Sequence, residues 1–130
     1  MDVARLLALV VLLLSLVRCG REAPSPSLFT LLTPDQTGIT FANTITTDDS
    51  FNVQFYYFVY NGGGVAVGDI DNDGLRDLFL TGNMVSSRLY LNKGKFRFED
   101  ITERAGVATN VWASGAAMVD INNDGYLDIY

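Results

Sequence analysis

The sequence predicts an all-β chain of β-propeller blades, about one and a half of a larger propeller. Three observations carry that expectation. An acidic loop, Asp69-Ile70-Asp71-Asn72-Asp73-Gly74-Leu75-Arg76-Asp77, returns 51 residues later as Asp120-Ile121-Asn122-Asn123-Asp124-Gly125-Tyr126-Leu127-Asp128. Between the two loops lie short apolar or alternating runs punctuated by turn residues, and four short strands per unit is the pattern of a blade. Each loop is entered and left through an apolar run without helical periodicity, so it bridges two strands.

The N-terminus reads as a targeting segment. Arg5 precedes an apolar stretch of twelve residues from Leu6 to Val17, which suits the core of a signal peptide over residues 1–18 and is too short to span a bilayer. The protein is therefore expected to be exported, as a lipoprotein of the outer membrane or cell surface or as an extracellular protein. Cys19, the one cysteine, follows directly in Leu16-Val17-Arg18-Cys19, which resembles a bacterial lipobox with Arg18 standing where a small residue is usual. Lipidation of Cys19 is the expected outcome, with ordinary cleavage or an uncleaved anchor as alternatives. A disulfide within the chain is excluded, since that cysteine has no partner. Residues 19–27, with Pro24, Pro26 and several serines, read as a flexible tether.

Residues 28–63 form the N-terminal β segment. Thr33-Pro34-Asp35 is a turn signal, and Gly38 to Asn43 alternates in the manner of a strand. The run from Phe51 to Tyr60 carries six aromatics and ends at Asn61-Gly62-Gly63-Gly64. It is β-prone and short for a helix, and its aromatics are expected to pack between sheets rather than to form a ligand platform.

The first repeat, residues 64–114, holds four strand candidates: Val65–Gly68, Leu78–Thr81, Ser87–Leu91 and Phe96–Ile101. Thr102 to Gly106 reads as one helical turn closed by glycine. Trp112 is expected to pack between blades. The second repeat, residues 115–130, stops in its second strand, so the chain is expected to be a piece of a longer propeller.

The chemistry lies in the loops. Four carboxylates within nine residues repel one another, and a pair about 4 Å apart costs about 4 kcal/mol at an effective dielectric of about 20, so a compact loop calls for a cation. Oxygen ligands alone point to calcium (Ca2+), which accepts six to eight oxygens at flexible angles. The ligands would be Asp69, Asp71, Asp73 and Asp77 with the main-chain carbonyl of Leu75, and Gly74 permits the sharp turn. Acidic turns without an ion are built from the same residue types, but recurrence favours metal. Gly64–Phe79 and Gly115–Tyr130 share eight identities in sixteen positions, with Asn122 supplying an amide oxygen in place of the Asp71 carboxylate. An EF-hand or dockerin loop would need an acidic twelfth residue and flanking helices, whereas the twelfth residue here is Leu80.

With these residues in view, the chain resembles the FG-GAP or VCBS repeat family, whose Asp-x-Asp-x-Asp-Gly-x-x-Asp loops occur in the propellers of integrin α subunits. Within it the chain looks most like bacterial cartilage-acidic-protein-like members, which often carry a C-terminal ASPIC and UnbV region. The resemblance covers about Thr37 to Tyr130 and rests on Gly38-Ile39-Thr40-Phe41, Tyr60 to Asp69, Arg88-Leu89-Tyr90-Leu91-Asn92, Phe98-Glu99-Asp100-Ile101-Thr102 and Asp124 to Tyr130. It implies a calcium-bearing propeller at or outside the cell surface, with a second ligand set of Asp120, Asn122, Asp124, Tyr126 and Asp128.

A net charge of −6 removes the basic face that nucleic-acid binding requires. The expected function is a non-catalytic surface module for a protein or polysaccharide ligand, with calcium stiffening the loops and membrane contact only through the N-terminal lipid. Enzymatic activity, such as that of a polysaccharide lyase, is the alternative. It finds little support, because the chain has no histidine and no Gly-x-Ser-x-Gly elbow. A purely structural repeat is the third reading.

Overall fold

Four short strands pair in sequence order to form an antiparallel meander, β1 (Val65–Gly68), β2 (Asp77–Leu80), β3 (Arg88–Asn92) and β4 (Phe98–Asp100). The computed structural model describes residues 27–130, and Leu32–Tyr130 forms a compact unit of its own. The predicted signal segment, Cys19 and nearly all of the tether lie outside the described residues. Two-residue periodicity decides which side of the sheet is covered. Ala66 pairs with Phe79 and Phe79 with Leu89, and all three side chains are buried with Leu91 and Ile101 in the core. Burying a side chain the size of Phe79 contributes roughly 1.5–3 kcal/mol.

The opposite face carries Val67, Leu78, Tyr90 and Asp100 in one cross-strand row and Val65, Leu80 and Arg88 in the next. Val65 and Val67 are exposed there, while Tyr90 is fully buried. The β1–β2 end is closed by Thr81, whose N–H donates to the Gly64 carbonyl (3.0 Å) and whose hydroxyl accepts from the Gly64 N–H.

Beyond β4 the chain makes one helical turn, α2 (Thr102–Ala105), ended by Gly106 in the left-handed region. Thr102 is fully buried: its hydroxyl accepts from the Leu89 N–H (2.9 Å) and donates to Asp100 Oδ1 (2.5 Å). The second repeat contributes a hairpin of β5 (Met118–Val119) and β6 (Asp128–Ile129), extended by reciprocal bonds between Ala117 and Tyr130. Its Ala116, Met118 and Ile129 pack against the core of the first sheet.

The segment before the sheet departs from expectation. Thr33-Pro34-Asp35 opens a single helical turn, α1 (Pro34–Thr37), with Thr33 and Gln36 capping it reciprocally. Gly38–Asn43 forms no strand, although burial still alternates along it. Asn43 instead bonds through its amide to Asn83, donating to Asn83 Oδ1 (2.5 Å) and accepting from the Asn83 N–H (2.9 Å). Asn83 in turn donates to the Ala113 carbonyl (3.1 Å).

Phe51–Tyr60 is a series of turns, and Phe55, Tyr56, Tyr57, Phe58 and Tyr60 are exposed rather than packed between sheets. Two causes act together. Consecutive aromatics at 55–58 would present bulk on both faces of a strand, and each face would need cover. Asp48 also captures the N–H groups of Ser50 and Phe51, and Asn52 that of Gln54, which locks local turns in place of a ladder. Trp112 packs edge-on against Phe51, with ring centroids 5.9 Å apart.

Candidate metal centre

The two acidic loops fold to the same pattern because their backbones are held by their own carboxylates. In the first, Asp69 accepts from the N–H of Asp73 (3.0 Å) and of Gly74 (2.9 Å), and Asp73 accepts from Leu75 (2.8 Å). In the second, Asp120 accepts from Asp124 (3.0 Å) and Gly125 (2.9 Å), and Asp124 accepts from Tyr126 (2.9 Å). Gly74 (φ 88°) and Gly125 (φ 89°) take the left-handed conformation that the turn requires. Asn72 (φ 59°) and Asn123 (φ 60°) also take it, as asparagine tolerates better than most residues.

The ninth residue of each loop is the first residue of a strand, Asp77 of β2 and Asp128 of β6. Asp77 is 1% exposed and reaches back to accept from the Ile70 N–H (2.9 Å) and sideways to accept from the Asn92 N–H on β3 (2.8 Å). Asp128 makes the equivalent bond to the Ile121 N–H (3.1 Å). Asp77 is thus both a candidate ligand and a brace between loop and sheet. The brace was missed at the sequence level, although the apolar run Leu78-Phe79-Leu80 directly after Asp77 was a sign that this residue enters the sheet.

Asp69, Asp71 and Asp77 converge so that one oxygen of each lies within 4.8 Å of the others. Ligands on opposite sides of a calcium ion stand about 4.6–5.2 Å apart, twice the usual metal–oxygen distance, so this spacing and an all-oxygen donor set fit that ion. Asp73 lies outside this convergent group and caps Leu75, whose N–H it holds. In the second loop Asn122 stands where Asp71 stands in the first, and its amide donates to Asp124 Oδ2 (3.0 Å). The Tyr126 N–H, and after it that Asn122 amide, hold the Asp124 carboxyl below the usual aspartate range. One bond joins the two loops directly: the Asn72 side chain donates to the Gly125 carbonyl (3.0 Å).

Residues 69–130 match the FG-GAP-like repeat family. This part of the chain belongs to that family. Its boundaries take in both acidic loops. Cartilage acidic protein 1 of Xenopus tropicalis is 40% identical over 73 residues, a stretch that covers 54% of this chain and 11% of that protein. The chain therefore spans about a tenth of the length of that relative. No solved structure matches it.

Proposed function

We propose that the chain is a calcium-binding propeller-type repeat module that acts outside the cell as a non-catalytic binding surface for a protein or polysaccharide. One observation carries the metal assignment: two loops 51 residues apart in the sequence close on the same hydrogen bonds, and in the first of them three carboxylates converge to the width of a calcium shell. The residues that would hold the ion are Asp69, Asp71 and Asp77 with Asp73 and the Leu75 carbonyl, and Asp120, Asn122 and Asp128 with Asp124 and the Tyr126 carbonyl. A bound cation would neutralise the crowded charge and tie the entry of one strand to the exit of another. Extracellular calcium modules bind in the range of about 10⁻⁴–10⁻³ M, which suits an ion that is filled outside the cell and empty inside.

Export is supported by the apolar run Leu6–Val17 behind Arg5, and a lipid anchor by Cys19 directly after it. A binding role is favoured over a lyase or other carbohydrate-active enzyme because the clustered carboxylates are engaged with backbone N–H groups and the chain contains no histidine.

Calcium titration by calorimetry tests the reading. Asp71→Ala combined with Asn122→Ala removes one ligand per loop. The Asp73 and Asp124 N–H groups that these side chains accept from (3.3 and 3.1 Å) keep Asp69 and Asp120 as acceptors, so the fold should persist at somewhat lower stability. Saturable binding of two ions by the wild type, weakened at least about tenfold in the double variant, is the expected result. A folded protein that binds no calcium at about 10 mM would defeat it. Depolymerisation of polysaccharides by the wild type would instead establish the enzymatic alternative.

A further inference from the structure

Away from the metal loops, a cavity of about 320 Å³ lies on the Tyr90 face of the sheet, beneath Thr40, Phe41 and Ala42. Its polar wall is made by Ser86, Arg88, Tyr90 and Asp100. Tyr90 is fully buried, and its hydroxyl has no hydrogen-bond partner among the described residues. A buried hydroxyl without a partner is destabilising and calls for an explanation. Its neighbours are held ready to serve a ligand. Asp100 is fixed by Thr102, whose N–H (3.0 Å) and hydroxyl (2.5 Å) both donate to Oδ1, which turns Oδ2 toward Arg88. The Arg88 guanidinium stands 3.6 Å from that Oδ2, an ion-pair distance too long for a hydrogen bond, so its N–H donors are available. Ser86 is already engaged with the Ser87 carbonyl (3.1 Å) and the Thr109 N–H (3.1 Å) and acts as wall.

We propose that this cavity binds a neutral polyhydroxyl compound, a single sugar unit of a glycan. The guanidinium donates, the carboxylate accepts and the phenol does either, and every sugar hydroxyl can both donate and accept. The charges of Arg88 and Asp100 cancel, so an anionic ligand would meet Asp100 and a cationic one Arg88. Phe41 supplies the apolar wall that a sugar's C–H face needs, and the volume falls at the lower end of small-molecule pockets, about 300–1,000 Å³. The proposal deepens the binding-module reading and rests on it for the role of the ligand, but it uses no metal-loop residue. Its failure and the failure of calcium binding are therefore separable in one sample.

Saturation-transfer NMR and calorimetry on the full chain, with calcium binding measured in parallel, would use a panel of methyl glycosides of hexoses and pentoses, with acetate and glycine as charged controls. The expected result is saturable binding of one or more glycosides and not of the controls, weakened about tenfold by Tyr90→Phe, which removes one hydroxyl and keeps the ring. Arg88→Gln should weaken it further, and both variants should retain wild-type calcium binding. Absence of glycoside binding by folded protein would overturn the proposal, as would undiminished binding in both variants or preferential binding of acetate or glycine. Where nothing binds, Tyr90→Phe should raise the melting temperature without another effect, marking the hydroxyl as a defect of packing alone.

Discussion

Replacing Asp77 by alanine should damage the protein far more than removing any exposed loop carboxylate, and the damage should not depend on metal. Asp77 is 1% exposed and satisfies two backbone donors, the N–H of Ile70 at 2.9 Å and of Asn92 at 2.8 Å. A hydrogen bond to a charged acceptor contributes about 1.5–3 kcal/mol, and an orphaned buried N–H costs about 1–3 kcal/mol. Allowing for partial hydration at Ile70, the loss should be about 2–5 kcal/mol, or on the order of 10–20 °C in melting temperature for a unit of this size. The matching change in the second repeat, Asp128→Ala, removes one such bond (3.1 Å) from a less buried site and should cost about half as much. Asp77→Asn keeps one acceptor and points an NH2 group at the other donor, so it should fall between wild type and alanine. Urea denaturation in EDTA isolates this brace from any ion, and repeating it in about 10 mM calcium should add about 1.4–2.7 kcal/mol per bound ion to the wild type. If Asp77→Ala unfolds within about 0.5 kcal/mol of wild type in EDTA, the brace is not structural and the reasoning fails.

Three further outcomes follow from the same geometry. Stability of the metal-free protein should be level near neutrality and fall below about pH 4, because the Ser50 hydroxyl and nearby N–H groups hold Asp48, the Arg104 and Lys93 side chains hold Glu99, and the Tyr126 N–H holds Asp124 below their ordinary ranges. Such groups stabilise the fold above their unfolded pKa and lose that effect as pH falls through the folded value; a melting temperature that rises on acidification from pH 5 to about 3 would contradict this. Gly64→Ala places a Cβ 2.6 Å from the Gly115 Cα, Gly68→Ala places one 2.6 Å from the flexible end of Leu127, and Gly115→Ala meets nothing within 4 Å. Thermal melts should therefore rank Gly64→Ala worst and Gly115→Ala near wild type, and the reverse order would disprove the close approach of the two repeats. Asn122→Asp should tighten calcium binding at the second loop and lower metal-free stability, since it adds a ligand charge and removes the amide bond to Asp124; calorimetry and melts in EDTA read the two effects separately.

What could be read from the sequence was local. The strands at Val65–Gly68 and from Leu78 onward and the helical turn closed by Gly106 follow from alternation and turn residues a few positions apart, whereas the strand expected from Phe96 opens only at Phe98, because Gly94, Lys95 and Phe96 take positive φ in the turn before it. The repeated loops declared their own geometry, because the groups that hold them lie within the same nine residues. The misreadings arose where a distant partner decides the outcome. Gly38–Asn43 alternates as a strand would, yet it forms no ladder although Gly38 lies against the Phe98 backbone of the edge strand β4, and Asn43 ties instead to Asn83, 40 positions away. The aromatics of 55–58 have the propensity for a strand but lack a one-sided pattern, and the Asx turns at Asp48 and Asn52 prevailed. The empty hydrogen-bonding capacity of Tyr90 was invisible for the same reason, since it depends on what Thr40–Ala42 bring across the sheet.

The bond from the Asn72 amide to the Gly125 carbonyl makes the two loops parts of one thermodynamic system. An ion that tightens the first loop would set the angle at which Asn72 grips the second, and an ion in the second would act back on the first. Such coupling is reciprocal by necessity: whatever factor one site gains from its neighbour's occupancy, it returns in full. A factor above one would let a repeat array respond to calcium over a narrower concentration range than isolated loops, and a factor below one over a wider range, with the exposed Asn72 side chain as the linkage between adjacent repeats.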